Sequence, residues 1–267
     1  MSKALILKGV HKVFNKGTVN EKVALDGVSI ELEPGDFVTI IGGNGAGKST
    51  MLNAIAGVWP VDAGQIIVND NDITSLPEHK RALYLGRVFQ DPMMGTAVTM
   101  DIEENMALAY RRGGKRTLRR GITHEERELF KEKLSTLGLG LEERMTTKVG
   151  LLSGGQRQAV TLLMASLKKP ELLLLDEHTA ALDPKTASKV LEISDQIINE
   201  YHLTAMMVTH NMKDAINHGN RLIMMNEGRI IYDVRGDEKK NLHVKDLLAK
   251  FEEVSGTEFD NDRMMLS

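Results

Sequence analysis

Two kinds of apolar pattern organise this chain. Phe37-Val38-Thr39-Ile40-Ile41, Leu172 to Leu175 and Ala205-Met206-Met207-Val208 are short, nearly unbroken apolar runs. Runs of this length without alternation predict strands buried on both faces, as in a parallel sheet, with Glu171 to Asp176 a central one. Ala4 to Leu7, Val28 to Leu32 and Gly64 to Val68 predict further strands near the N-terminus. Turns are expected at Pro34-Gly35-Asp36 and at Asn69 to Asp72.

Helical signals fill the intervals. A helix is predicted over Lys48 to Ala56, with Gly57 closing it and Pro60 just beyond. Thr123-His124-Glu125-Glu126 has capping-box spacing. The helix it opens carries Leu129, Phe130, Leu134 and Leu137 on one face and is expected to stop at Gly138. Ser153 is a good N-cap for a helix running to about Lys169, ahead of Pro170. Asp183-Pro184 supplies an N-cap and first-turn proline for another, with Leu191, Ile197, Ile198 and Tyr201 toward one side. Leu247, Leu248, Phe251 and Val254 form a C-terminal stripe expected to pack on the core. Thr257 to Ser267 are expected to fray.

The first candidate chemistry lies where the strand Phe37–Ile41 meets its helix. Gly42-Gly43-Asn44-Gly45-Ala46-Gly47-Lys48-Ser49-Thr50 fits the pattern G-x-x-x-x-G-K-S/T. Glycines let successive backbone N–H groups converge on one anion, and the helix N-terminus adds its own partial positive charge. Lys48 can reach β- and γ-phosphates, and the Ser49 hydroxyl can ligate Mg²⁺. Asp176 and Glu177 leave the end of a buried strand, where open α/β sheets bind ligands. Because strand residues alternate, Asp176 is expected to face the Mg²⁺ shell and Glu177 the attacking water. His210 ends the next strand. Alone it reads as a structural histidine; beside a phosphate site it reads as a γ-phosphate contact.

These motifs and their order resemble the nucleotide-binding subunits of ATP-binding cassette (ABC) proteins, over about Leu5 to Val234. Gly42 to Thr50 matches the Walker A loop and Gln90 the Q-loop glutamine, which in the family touches Mg²⁺ and the membrane partner. Leu152-Ser153-Gly154-Gly155-Gln156 matches the signature motif. Asp176 and Glu177 match the Walker B aspartate and the catalytic glutamate, Asp183 the D-loop aspartate and His210 the switch histidine. Phe14 matches the adenine-stacking aromatic, and equally fits an ordinary strand aromatic. The family usually has proline after the catalytic glutamate; here His178 stands there. It is read as a simple replacement in preference to a pH-sensitive bond near a dimer seam.

The resemblance implies an α/β fold in one domain. A P-loop NTPase core with a mainly parallel sheet and an antiparallel β subdomain would take residues 1–91 and 170–235. An inserted α-helical subdomain would take 92–169, and a C-terminal helix and tail 236–267. It implies ATP and Mg²⁺ as ligands, and a head-to-tail dimer in which Ser153, Gly154, Gly155 and Gln156 complete the partner copy's ATP site. It further implies a peripheral place on the cytoplasmic face of the membrane, held by permease subunits and served indirectly by a substrate-binding protein. Gly86 to Thr96 with Glu177-His178-Thr179 resembles a bacterial branch paired with binding lipoproteins, which suggests uptake of an amino acid, an aromatic one among the options. A soluble ABC ATPase of an assembly complex, such as iron–sulfur cluster biogenesis, is the alternative.

Composition narrows the remaining classes. The formal net charge of −3 gives no general attraction to nucleic acid, and no nucleic-acid partner is expected. The absence of cysteine removes disulfides, thiolate metal sites and cysteine nucleophiles. No run reaches the roughly 18 apolar residues of a spanning helix, so a transport role needs a separate pore. Low aromatic content leaves packing to aliphatics and the 15 methionines, with Met206-Met207 and Met224-Met225 read as core. Arg111, Arg112, Lys115, Arg116, Arg119 and Arg120 cluster without an intervening acid. They read as a solvated loop, or as a contact for anionic lipid headgroups.

Overall fold

The computed structural model describes residues 2–114 and 121–255. The strands are β1 (Leu5–Phe14), β2 (Lys22–Leu32), β3 (Phe37–Gly42), β4 (Ala63–Val68), β5 (Asn71–Asp72), β6 (Leu85–Val88), β7 (Leu172–Asp176), β8 (Ala205–Val208), β9 (Arg221–Asn226) and β10 (Arg229–Arg235). The α-helices are α1 (Lys48–Ala56), α2 (Glu78–Arg81), α3 (Ile102–Tyr110), α4 (His124–Ser135), α5 (Gly154–Ser166), α6 (Pro184–Tyr201), α7 (Met212–Asn217), α8 (Asp237–Lys240) and α9 (Val244–Ser255).

Two sheets form. One has the order β10-β9-β3-β8-β7-β6 and is parallel except for the β9–β10 hairpin. The other, β2-β1-β4-β5, is antiparallel. The unbroken apolar runs lie inside the first sheet because it is covered on both sides. Leu172, Leu174, Met206 and Val208 enter the core shared with α1 and the antiparallel sheet. Leu173, Leu175, Ala205 and Met207 enter the core beneath α3–α6. Adjacent methionines thus serve opposite cores, as strand alternation requires. β7 is interior but one strand in from the edge, not central, because β6 flanks it.

Several boundaries differ from expectation. β1 and β2 reach well beyond Leu7 and upstream of Val28. Register shifts between Leu7 and Val13, beside a left-handed Gly9, obscure their alternation. Asn69 and Asp70 make the turn with positive φ, while Asn71 and Asp72 already pair with β4. α4 ends at Ser135, ahead of Gly138, and α5 ends at Ser166, with Lys169 in a left-handed turn before Pro170. Described residues between 92 and 169 hold three α-helices and no strand.

α1 has an unusual far end. Arg81 is 1% exposed and donates to the Ala54 and Ile55 carbonyls at 2.7 and 2.8 Å, and to those of Leu76 and Thr74 at 2.8 and 2.7 Å. Gly57 makes room for it: a Cβ there would lie 2.7 Å from Arg81 Nε.

α9 packs Leu247 and Phe251 into a third core with α7, β9 and β10, as the stripe predicts. The predicted fraying of Thr257 to Ser267 lies outside the described residues, as do Lys115, Arg116, Arg119 and Arg120 of the basic cluster. Its other two members are not free loop charges. Arg111 Nη2 meets both Glu126 carboxylate oxygens at 3.0 and 2.7 Å, and Arg112 donates to the Ala165 carbonyl at 3.2 Å.

Candidate functional site

β3 ends in Gly42 and α1 begins at Lys48, and the loop between them forms one wall of a cavity of about 380 Å³. Its geometry needs glycine where the backbone doubles back. A Cβ on Gly42 would lie 2.2 Å from the Met225 carbonyl oxygen, and one on Gly47 2.5 Å from that of Ala24. Asn44, Gly45, Gly47, Lys48, Ser49 and Thr50 line the cavity, together with Phe14, Glu177 and His210. The first turn of α1 thus brings its unpaired N–H groups to the cavity wall.

Lys48 is 5% exposed, and its ammonium donates to the Gly42 and Gly43 carbonyls at 2.8 and 3.0 Å. Burial pulls it below the usual lysine value, against the opposing pull of Glu177 and Asp176. Ser49 Oγ donates to Asp176 Oδ1 at 3.2 Å. Burial holds the Asp176 carboxyl above its ordinary value, opposed by Arg87 and helped by Glu177. A hydroxyl and one carboxylate are hard oxygen donors suited to Mg²⁺, which takes its other ligands from phosphate and water. No cluster of three or more metal-binding His, Cys, Asp or Glu side chains exists among the described residues.

Glu177 reaches the cavity by a different route from simple alternation. It has φ 46, so the strand ends at Asp176 and the chain turns left-handed at the next residue. The Glu177 N–H donates to the Val208 carbonyl at 3.1 Å, and Oε1 lies 2.6 Å from His210 Nε2. Burial works to raise the Glu177 carboxyl. The hydrogen bond and charge of His210, with Lys48, outweigh it and hold the group below the usual carboxylate range.

Phe14 sits edge-on to Trp59, with centroids 4.9 Å apart and planes at 83°. Lys22 and Ala24, which motif reading did not single out, line the same end. Lys22 Nζ hangs over the phosphate loop, 3.0 Å from where a Gly45 Cβ would be. A charge at the start of β2 carries no motif, so only the fold reveals it.

Other predicted residues lie elsewhere. Gln90 is exposed, two residues beyond β6, and is not part of the cavity wall. Ser153 caps α5 by accepting from the Gln156 N–H at 3.3 Å, while Gln156 Oε1 accepts from the Ser153 N–H at 3.2 Å. Ser153, Gly155 and Gln156 line a separate hollow of about 420 Å³ with Lys185, Thr186 and Lys189 of α6. Gly154 lies against Leu182: a Cβ there would be 3.1 Å from Leu182 Cδ2. Asp183 caps α6, accepting from the Thr186 N–H at 3.1 Å. Within one chain, then, the signature segment does not reach the phosphate-loop cavity.

His178 turns away from the cavity. It is 2% exposed, with Nε2 2.9 Å from Ser194 Oγ. The Ser194 hydroxyl donates its only proton to the Val190 carbonyl at 2.8 Å, so His178 carries its proton on Nε2. Its Nδ1 is buried without a partner. Burial first, then His218, pushes its pKa down to about 4, so the ring is neutral.

The ABC transporter family model matches residues 25–180, more than half of the chain. A tyrosine transport ATP-binding protein of Clostridioides difficile (strain R20291) is 44% identical over 248 residues, covering 93% of this chain and 98% of its own. A methionine import ATP-binding protein of Corynebacterium diphtheriae is 34% identical over 230 residues, covering 84% of this chain and 64% of its own. Among solved structures, the dimeric post-hydrolysis state of an ATP-binding cassette bound to ADP and phosphate superposes with TM-score 0.73 at 29% identity, covering 86% of this chain and 98% of its own. A cassette of Clostridium perfringens that is part of an ABC transporter complex gives 0.76 at 25% identity, covering 95% and 96%. With the match running through the phosphate loop, the signature segment and the acidic strand end alike, the chain belongs to the ABC transporter family and is an ATPase.

Proposed function

We propose that this chain is the ATP-hydrolysing subunit of an importer for an amino acid, with aromatic amino acids the favoured class. The observation that carries the catalytic part is the Glu177–His210 pair, 2.6 Å apart on the wall of the phosphate-loop cavity. Glu177, held ionised, orients the attacking water and takes its proton. His210 holds that carboxylate and is within reach of the γ-phosphate. Lys48, the loop N–H groups and the first turn of α1 carry the phosphates, while Phe14 stands at the adenine end. Ser49 and Asp176 would hold Mg²⁺, and Gln90, exposed beyond β6, is the further ligand that the family motif suggests. Bound there, the ion neutralises charge on the β- and γ-phosphate oxygens.

Ser153, Gly154, Gly155 and Gln156, remote from their own cavity, close the site of a second copy across a head-to-tail dimer. Asp183 lies at that seam. The solute class rests on the tyrosine and methionine transport relatives. No helix among the described residues is long and apolar enough to cross a membrane. On this reading separate permease subunits form the pore, and this chain rides on them at the cytoplasmic face.

Glu177→Gln tests the mechanism. The amide keeps the size of the side chain and an acceptor for His210 but loses the base. Phosphate release should fall about 10²- to 10⁴-fold while ATP binding and ATP-dependent dimerisation persist. Turnover within tenfold of the unaltered chain would refute the assignment. Uptake of labelled tyrosine by cells with and without the gene tests the solute class.

A further inference from the structure

Arg87 falls within the Gly86–Thr96 stretch, where no motif gives it a role, yet it stands beside the Asp176 carboxylate. It lies on β6, whose partner in register is Leu174 of β7, two residues before Asp176. Arg87 Nη2 donates to Asn53 Oδ1 at 2.5 Å, and Asn53 Nδ2 donates to the Ser49 carbonyl at 2.8 Å. Ser49 Oγ in turn donates to Asp176 Oδ1. The four residues form a ring, open at one link, across β6, α1 and β7.

The open link of that ring is the informative one. Arg87 Nη2 is 4.0 Å from Asp176 Oδ2, too far for a hydrogen bond but close enough for strong attraction in a half-buried site. Two anchors hold the guanidinium at that distance: Asn53, and the Phe89 ring, whose centroid lies 4.4 Å from the guanidinium carbon. Phe89 is itself tied down through its carbonyl, which accepts from Gln158 Nε2 at 3.2 Å. Glu78, at 3.9 Å from Arg87 Nη1, is exposed and offers weak compensation. Arg87 Nε is buried without a partner. A guanidinium placed for structural strength would close a bidentate pair with the carboxylate. This one supplies charge at 4.0 Å without a hydrogen bond to Oδ2.

We propose that Arg87 is the standing counter-cation of Asp176, balancing its charge when no divalent cation is bound and so allowing ATP to enter ahead of the metal. This rests on Asp176 facing the metal, as proposed above. Without Arg87, Lys48 alone would face the half-buried carboxylate, whose charge would oppose incoming phosphates until Mg²⁺ arrived.

The test is binding of a fluorescent N-methylanthraniloyl-ATP to the full chain, in EDTA and in saturating Mg²⁺. Arg87→Gln should weaken binding about fivefold or more in EDTA and less than about twofold in Mg²⁺. Arg87→Lys, which keeps the charge, should stay near the unaltered chain in both. Adding Asp176→Asn to Arg87→Gln should restore binding in EDTA, because no carboxylate then needs balancing. Equal weakening in both conditions, or none in EDTA, overturns the proposal. The Asp176→Asn chain alone tests the underlying reading. If Mg²⁺ still tightens nucleotide binding in it as before, Asp176 is not the metal-facing carboxylate, and the site assignment fails separately.

Discussion

The neutral, buried His178 makes stability depend on pH in a calculable way. Its folded pKa is about 4, against an ordinary value of 6.5. Because the folded value is depressed, the unfolded chain takes up the proton first as pH falls. The stability contributed by the neutral ring is whole above the unfolded value and is lost steadily down to about 4, where the folded ring also protonates. Linkage gives a loss of about 2 kcal/mol between about pH 7.5 and about pH 5. At 2% exposure, solvent screening does little to reduce it. Ser194 cannot help by rearranging, since its proton is committed to Val190. His178→Leu removes the titrating group at similar volume and leaves the Ser194–Val190 bond in place. Urea unfolding of both chains at the two pH values reads the difference, and groups that do not interact with His178 cancel. The unaltered chain should lose about 2 kcal/mol more than the variant. Equal losses would show that His178 either titrates normally or is solvated in the folded state, and the burial argument would fall.

Lys22→Gln should raise KM for ATP about two- to fivefold, because an exposed cation over the phosphate loop is worth at most about 1 kcal/mol. Its kcat should hold, and the effect should shrink in high salt; a change confined to kcat would assign Lys22 to the chemical step. Arg81→Met should destabilise the chain by about 3 kcal/mol or more, since four carbonyls lose their buried donor. A melting temperature unchanged by that substitution would mean that water replaces the guanidinium.

Much of this was legible in the sequence because the groups concerned act through backbone. The helix after Gly47, the capping box at Thr123, the N-cap at Ser153 and the Asp183-Pro184 start all depend on local chemistry, and all form. Glu177 lines the phosphate-loop cavity, but not by strand alternation. Alternation stops at Asp176, and a left-handed residue that sequence patterns do not encode re-aims the carboxylate. Arg87 and Lys22 escaped because each meets the site through a neighbouring strand, a relation set by sheet order. His178 looked like a bland replacement; its burial against Ser194 depends on where α6 docks.

Arg81 alters how α1 presents itself to a nucleotide. A helix is a paired source of charge, positive at its start and negative at its end, and at a distance the two ends largely cancel. Here a full positive charge sits in the carbonyls of Ala54 and Ile55 at the closing end. That charge offsets the negative pole at the end of α1 where the unpaired carbonyls gather. A helix of only nine residues is thereby made to act as a one-sided source. Arg81 and the Gly57 that admits it therefore set the charge balance at the closing end of the helix that carries Lys48, as well as the packing there.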